Sequence, residues 1–324
     1  MKKETKIAIA AVSAAGFAAT VTATLVASVK LISDMAVKKD IPKILKPMKK
    51  MIAGGGEVDK QLVETASKES ENLRSLCTEK VAIQNRDGLN LTGYWYRAKD
   101  PKRIIIAMHG WRSTWSTDFS LITRFLIDNN CSILFPDQRC HGESEGEHIG
   151  FGVFERYDCV DWVNFVVKTE QNNLPVYLCG VSMGASTVLM ASELELHDRV
   201  KGIISDCGFT SPYDIWSHVM NNNLKINSKL AFQMANHYIS RKTNLDAKGA
   251  STETAVANTK IPILFVHGDA DGFVPVEMTY KNYNACASEK YLLIVPNADH
   301  GLSFYVDSYS YKKAVAEFFS KYDN

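Results

Sequence analysis

Past residue 80 the chain alternates short, almost wholly apolar runs with longer stretches in which apolar positions recur every three or four residues. The short runs, at 104–108, 132–135, 176–179, 202–205, 262–266 and 291–295, suit strands buried on both faces. The longer stretches, at 117–129, 154–168, 182–195, 277–287 and 309–321, have helical spacing. Such alternation implies a mostly parallel sheet with helices on both faces, the α/β class. Two earlier runs, 81–84 and 91–97, flank Asp87-Gly88 and are expected to pair antiparallel. Between residues 207 and 260 the pattern is interrupted by a segment rich in apolar and aromatic side chains, among them Phe209, Tyr213, Trp216 and Phe232.

The first quarter reads differently. No charged residue occurs from Ile7 to Val29. A helix of about 23 residues at ~1.5 Å rise would cross a hydrocarbon core of ~30 Å. Residues 1–34 are therefore expected to form a transmembrane or signal-like segment: a retained anchor, a signal peptide cleaved near Ala23 or Ala27, or a buried helix. Residues 35–56 read as a basic juxtamembrane linker that ends at Gly54-Gly55-Gly56, able to lie on an anionic membrane surface or to stay solvated. The lysines after the span favour a cytoplasmic body, whereas the short basic head favours export, and the extracytoplasmic side is slightly preferred. Residues 57–80 have the spacing of a packing helix that opens the catalytic domain, 57–324.

Composition narrows the function. Lys+Arg 37 against Asp+Glu 36 leaves a net charge of +1, so no basic field points to nucleic acid. The seven cysteines are scattered and never form C-x-x-C. This suggests buried free thiols rather than a disulfide framework or zinc site. The histidines show no ligand-like spacing, so neither a metal nor another cofactor is expected.

Chemistry concentrates at the ends of the expected strands, where open α/β sheets collect their active groups. Gly180-Val181-Ser182-Met183-Gly184 is G-x-S-x-G between a strand and a helix. Glycines there allow a turn sharp enough to project the serine oxygen. A serine hydroxyl needs an imidazole to take its proton and a carboxylate to hold that imidazole. Both are available downstream, in His267-Gly268-Asp269-Ala270-Asp271-Gly272-Phe273-Val274-Pro275 and in Asn297-Ala298-Asp299-His300-Gly301.

With His109-Gly110-Trp111 and Asp137-Gln138-Arg139-Cys140-His141-Gly142-Glu143-Ser144, these motifs make the chain from about Lys80 onward resemble the α/β-hydrolase family. The resemblance is strongest to its prolyl-oligopeptidase-like, serine-aminopeptidase-like and membrane-anchored bacterial branches. It implies the α/β-hydrolase fold, with the 207–260 segment as a small cap over the nucleophile. It places the nucleophile on Ser182, the acid on Asp271 with Asp269 as rival, and the base on His300. The backbone N–H groups of Trp111 and Met183 would form the oxyanion hole, and Asp299 would orient its loop. Cys140 stands where the family usually has glycine, which would strain the loop if that position needs a positive φ. His109, His141 and His267 are expected to hold loops rather than act on substrate.

The function expected is cleavage of a carboxylic ester through an acyl-enzyme, on a small-molecule ester or peptide-like substrate. A peptidase or acyltransferase using the same triad is the rival within enzymes. An inactive membrane-tethered binding protein is the rival outside them.

Overall fold

A computed structural model describes residues 23–40 and 59–323. After helix α1 (Lys60–Leu76) come the antiparallel pair β1 (Glu79–Gln84) and β2 (Asn90–Tyr96), then β3 (Arg103–Met108). Two short helices follow, α2 (Trp115–Asp118) and α3 (Ser120–Asp128), leading to β4 (Cys131–Pro136) and α4 (Glu155–Thr169). Then β5 (Val176–Val181), α5 (Met183–Ala191) and β6 (Val200–Asp206) complete the centre of the sheet. Beyond the cap, α8 (Thr252–Asn258), β7 (Ile263–Gly268), α9 (Val276–Ala285), β8 (Lys290–Val295), α10 (Ser303–Val306) and α11 (Ser308–Tyr322) finish the chain. The sheet order is β1-β2-β4-β3-β5-β6-β7-β8, and only the β1/β2 and β2/β4 pairs are antiparallel.

The order follows from what the strands carry. Every residue of β3 and β4 is buried, so both need neighbours on two edges and helices on two faces. Along β3, Ile104, Ile106 and Met108 point to one core and Ile105 and Ala107 to the other, the period-two alternation of a strand. The first core is closed by Trp162 and Val163 of α4, Val188 and Leu189 of α5, and Val256 of α8. The second is closed by Leu73 of α1, Ile122 and Leu126 of α3, and Tyr311, Val315 and Phe318 of α11. The β8 edge strand is only partly covered and carries the exposed Leu292.

The cap comprises α6 (Pro212–His218), a π-helical turn (Val219–Asn223) and α7 (Lys229–Thr243). Ser211 and Ser228 accept the N–H groups of Asp214 and Ala231, which starts the two helices, and Asn244 ends α7 in the left-handed region at φ 57°. The expected cap segment, 207–260, is too long at its far end. Ala255 and Val256 of α8 are fully buried in the helical layer beside the sheet, and Thr252 donates to Asn282 of α9 at 2.6 Å.

The N-terminal segment departs most from expectation. Residues 23–37 are helical, and Val29, Met35 and Val37 are buried against the cap and the loops at the sheet's edge. Asp34 pairs with Lys38 and with Lys242 of α7. Residues 35–40, expected to begin a solvated or membrane-lying linker, are instead part of the body. Their carbonyls find donors there and Met35 and Val37 find an apolar seat, which a linker in water would not supply. No helix among the described residues is long and apolar enough to cross a membrane. Most of the uncharged stretch 7–29, and Gly54-Gly55-Gly56, lie outside the described residues.

Candidate active site

Ser182 occupies the one-residue step between β5 and α5 with φ 56° and ψ −118°. A non-glycine residue held there stores roughly 1–3 kcal/mol of strain, which the surrounding structure must offset. Two glycines make the turn possible. A Cβ at Gly184 would stand 1.9 Å from the Met108 carbonyl oxygen, and one at Gly180 would stand 2.2 Å from the Gly184 carbonyl oxygen. Thus α5 begins in backbone contact with β3. The Ser182 N–H donates to the Asp206 carbonyl at 2.9 Å, which ties the turn to β6.

At the same edge, the Ser182 hydroxyl lies 2.9 Å from His300 Nε2, and His300 Nδ1 lies 2.7 Å from Asp271 Oδ2. With Nδ1–H donating to the carboxylate, Nε2 is left as an acceptor for the serine proton. The Asp271 side chain is fully buried. Its Oδ1 accepts the N–H groups of Phe273 at 2.9 Å and Val274 at 2.8 Å. His267 Nε2 faces Asp271 Oδ2 at 3.1 Å and the Val274 carbonyl at 2.9 Å. With only acceptors on that side, Nε2 must carry the proton and donate. Burial alone would raise the Asp271 pKa, but the charges and hydrogen bonds of His300 and His267 outweigh it and hold the carboxyl well below the usual range. Burial likewise opposes a charged His300, yet the Asp271 carboxylate that accepts its Nδ1–H outweighs it and raises the pKa above the ordinary histidine value.

The other acids are used elsewhere. Asp269, the rival, accepts the Asn297 N–H at 2.6 Å. Asp299 accepts the N–H groups of His300 at 2.7 Å and Gly272 at 3.1 Å, as expected of a residue that orients the loop.

Trp111 follows β3 at the same edge. Among the described residues neither its N–H nor that of Met183 donates to a protein acceptor, whereas the N–H groups flanking Trp111 do. Gly110 donates to Asp118 at 2.6 Å and Arg112 donates to His141 Nε2 at 3.0 Å. The histidines hold loops here. His109 Nε2 accepts the Gln138 N–H at 3.1 Å, and burial pushes His141 down to about 3, so it stays neutral and able to accept. Cys140 does adopt a positive φ, 63°, so a cysteine in the left-handed region strains the loop. At Gly142 no side chain fits, because a Cβ would stand 2.0 Å from Asp137 Oδ2.

Sequence reasoning missed two neighbours of the site. Cys207, at φ 49°, contacts His300, and burial raises its thiol to about 11, so it is protonated at neutral pH. Nothing local in the sequence pairs it with a histidine 93 positions on. The second is the N-terminal helix, whose contact with the Trp111-Arg112 loop is purely tertiary. Cys207, Asp271 and His300 place possible ligand atoms within 4.8 Å of one another. Two of these residues are already committed to the Ser182 hydrogen-bond chain, and the third is a protonated thiol.

Ser182 and His300 open into a groove of about 720 Å³ walled by α1, α10 and the loops after β3 and β8. A second, smaller cavity of about 60 Å³ lies between the N-terminal helix and the cap, with apolar walls. Trp111 and Phe273 line both.

Sheet order, turn geometry and the placing of these residues together define the α/β-hydrolase fold. Residues 99–254 match the family described as serine aminopeptidase, S33. Among solved structures, the Pyrococcus furiosus esterase Pf2001 is similar at TM-score 0.62 and 19% identity, over 78% of this chain and 96% of that one. Est1E from Butyrivibrio proteoclasticus, solved with ferulic acid bound, is similar at TM-score 0.56 and 20% identity, over 75% and 98% of the two chains. Among curated sequences, the uncharacterized protein YqkD of Bacillus subtilis is 25% identical over 236 residues, 73% of this chain and 77% of that protein.

Proposed function

We propose that this chain is a serine hydrolase that cleaves carboxylic esters through an acyl-enzyme. The observation that carries the reading is the unbroken hydrogen-bond chain from Ser182 through His300 to Asp271, starting from a strained serine at the head of α5. Ser182 Oγ attacks the ester carbonyl carbon while His300 Nε2 takes its proton. The negative charge that appears on the carbonyl oxygen is met by the Trp111 and Met183 N–H groups. His300 then protonates the leaving alcohol, and water, activated by the same imidazole, releases the acid and restores Ser182. Similarity to proteins named as esterases supports ester over amide.

The match to the serine aminopeptidase family favours a second reading, a peptidase with the same triad. Such an enzyme needs a carboxylate for the substrate's amino terminus. In the groove, Asp118 is bonded to Gly110 and Ser113, and Asp206 to Ser303, which leaves the exposed Glu71. Parallel turnover of aryl esters and aminoacyl amides separates the readings: better kcat/KM on amides, lost in Glu71→Gln, would establish the peptidase.

The triad itself is tested by intact mass after reaction with a fluorophosphonate. One adduct on the wild type, absent in Ser182→Ala and strongly slowed in His300→Ala, is expected. No adduct on the folded wild type would favour a binding protein without catalysis. The uncharged stretch 7–29 supports a membrane anchor as a further proposal. Because the chain packs on the body from Leu25 on, such an anchor would set the body directly at the lipid surface. Recovery of the full chain in the soluble fraction without cleavage would refute it.

A further inference from the structure

The N-terminal helix ends on the loop that bears one of the oxyanion donors. The last carbonyls of a helix have no partner within it and carry a partial negative charge. Here Met35 O accepts from Arg112 Nη2 at 2.6 Å and Nε at 3.1 Å, and Ala36 O accepts from the Trp111 indole at 2.8 Å. Val37 O accepts from the Ile149 N–H at 2.6 Å, and Lys38 O and Lys39 O accept from Arg112, the latter at 2.6 Å. Arg112 makes no ion pair among the described residues, and at φ 53° it sits in the left-handed region. Its guanidinium, lowered to about 10 by burial, remains charged at neutral pH. At the other side of the helix, Asp34 binds Tyr238 and Lys242 of α7. The helix therefore bridges the cap and the loop after β3, and the apolar cavity is the space it closes.

That cavity is lined by Ile32, Met35 and Ala36 from the helix and by Trp216, Phe232 and Ala235 from the cap. Trp111 and Phe273, whose ring centroids are 6.5 Å apart, line both this cavity and the nucleophile's groove, and Phe273 also packs edge-on against His300 at 4.9 Å. We propose that this cavity receives the acyl chain of the substrate, so that the N-terminal helix is a wall of the substrate site rather than an appendage to it. The inference rests on the serine esterase reading above and names its substrate class. An apolar cavity of roughly 150 Å³ admits the six carbons of benzene. A volume of about 60 Å³ thus takes about two to three carbons, the end of a short aliphatic acyl tail. Bulky aromatic and long-chain acyl groups do not fit without displacing the helix. Trp111, anchored by its indole to Ala36 O, and Phe273, packed on His300, form the wall shared by cavity and groove.

The test uses the full chain and p-nitrophenyl esters from acetate to decanoate. The wild type is expected to peak between butyrate and hexanoate. Ala36→Phe, which fills the cavity from the helix side, and Ala235→Phe, which fills it from the cap, should each lower the hexanoate-to-acetate ratio of kcat/KM by about tenfold or more, because one methylene is worth roughly 10–200-fold in a fitted apolar pocket. Ile32→Ala should move the optimum to longer chains. Folding of each variant is checked by thermal melting, and the three variants act on opposite walls and in opposite senses. If those that fold keep the wild-type chain-length profile, the acyl group lies elsewhere and the inference falls. If the wild type turns over no ester and takes no fluorophosphonate, the esterase reading fails and this inference with it, an outcome distinct from an unchanged profile.

Discussion

Replacing Asp271 by asparagine tests the hydrogen-bond chain at its buried end. The Oδ1 side can keep its bonds from the Phe273 and Val274 N–H groups. The new amide nitrogen then faces His300 Nδ1 and His267 Nε2, where a carboxylate oxygen accepted from both. An amide N–H can meet His300 only if Nδ1 becomes the acceptor, which moves the ring proton to Nε2, toward Ser182. In that tautomer His300 cannot take the serine proton. The same substitution in a serine triad costs on the order of 10⁴ in kcat, about 5.5 kcal/mol at ~1.36 kcal/mol per tenfold. Removal of the negative charge also lowers the His300 pKa, so the residual kcat/KM should rise at lower pH than in the wild type. The assay is kcat and kcat/KM on an aryl ester from pH 5 to 9, with thermal melting to verify folding. A folded Asp271→Asn protein that loses less than tenfold, or an Asp269→Asn protein that loses more, would refute the assignment of the acid.

Other outcomes follow from the same geometry. In the wild type kcat/KM requires neutral His300, whose pKa is raised, so the rate should climb with pH through a midpoint above the reference value of ~6.5; a midpoint below it would mean Asp271 does not hold the imidazolium. Gly184→Ala would press a Cβ into the Met108 carbonyl. It should cost roughly 1–3 kcal/mol or more and lower Tm by at least several degrees, with loss of activity because the turn carries Ser182; a Tm within one degree of wild type would show that α5 can shift freely. Arg139→Met removes the partner of Asp158, a side chain 1% exposed. The cost should be about 3–5 kcal/mol, read as a lower denaturation midpoint, and an unchanged midpoint would mean that Asn85, which also bonds Asp158, suffices.

Much of this protein was legible in one dimension. All eight strands lie where the expected runs stand: the central ones because a strand buried on both faces must be apolar throughout, and the hairpin through Asp87-Gly88 because it needs only local turn chemistry. Ser182 could be found because the turn it needs leaves glycine at Gly180 and Gly184 as the sole sterically possible residues. Asp271 and His300 could be found because each follows a recognisable strand. The positive φ at Cys140 was also foreseeable from the glycine it replaces.

Tertiary structure decided what sequence periodicity cannot encode. Residues 23–37 have the same pattern of apolar positions whether they face lipid or protein. Only the seat offered by the cap, and the donors of Trp111 and Arg112 to carbonyls some 75 positions away, settle that Val29, Met35 and Val37 are buried in the body. Family pattern favours Asp271 over Asp269 and Asp299, and only the fold shows that Asp271 faces His300 while the other two face backbone N–H groups. Cys207 met His300 for the same reason: contact between strand ends depends on which strands are neighbours, and β6, β7 and β8 become neighbours only when the sheet is assembled. Local sequence determines the conformation of each segment, while long-range pairing of side chains depends on packing that no single segment contains.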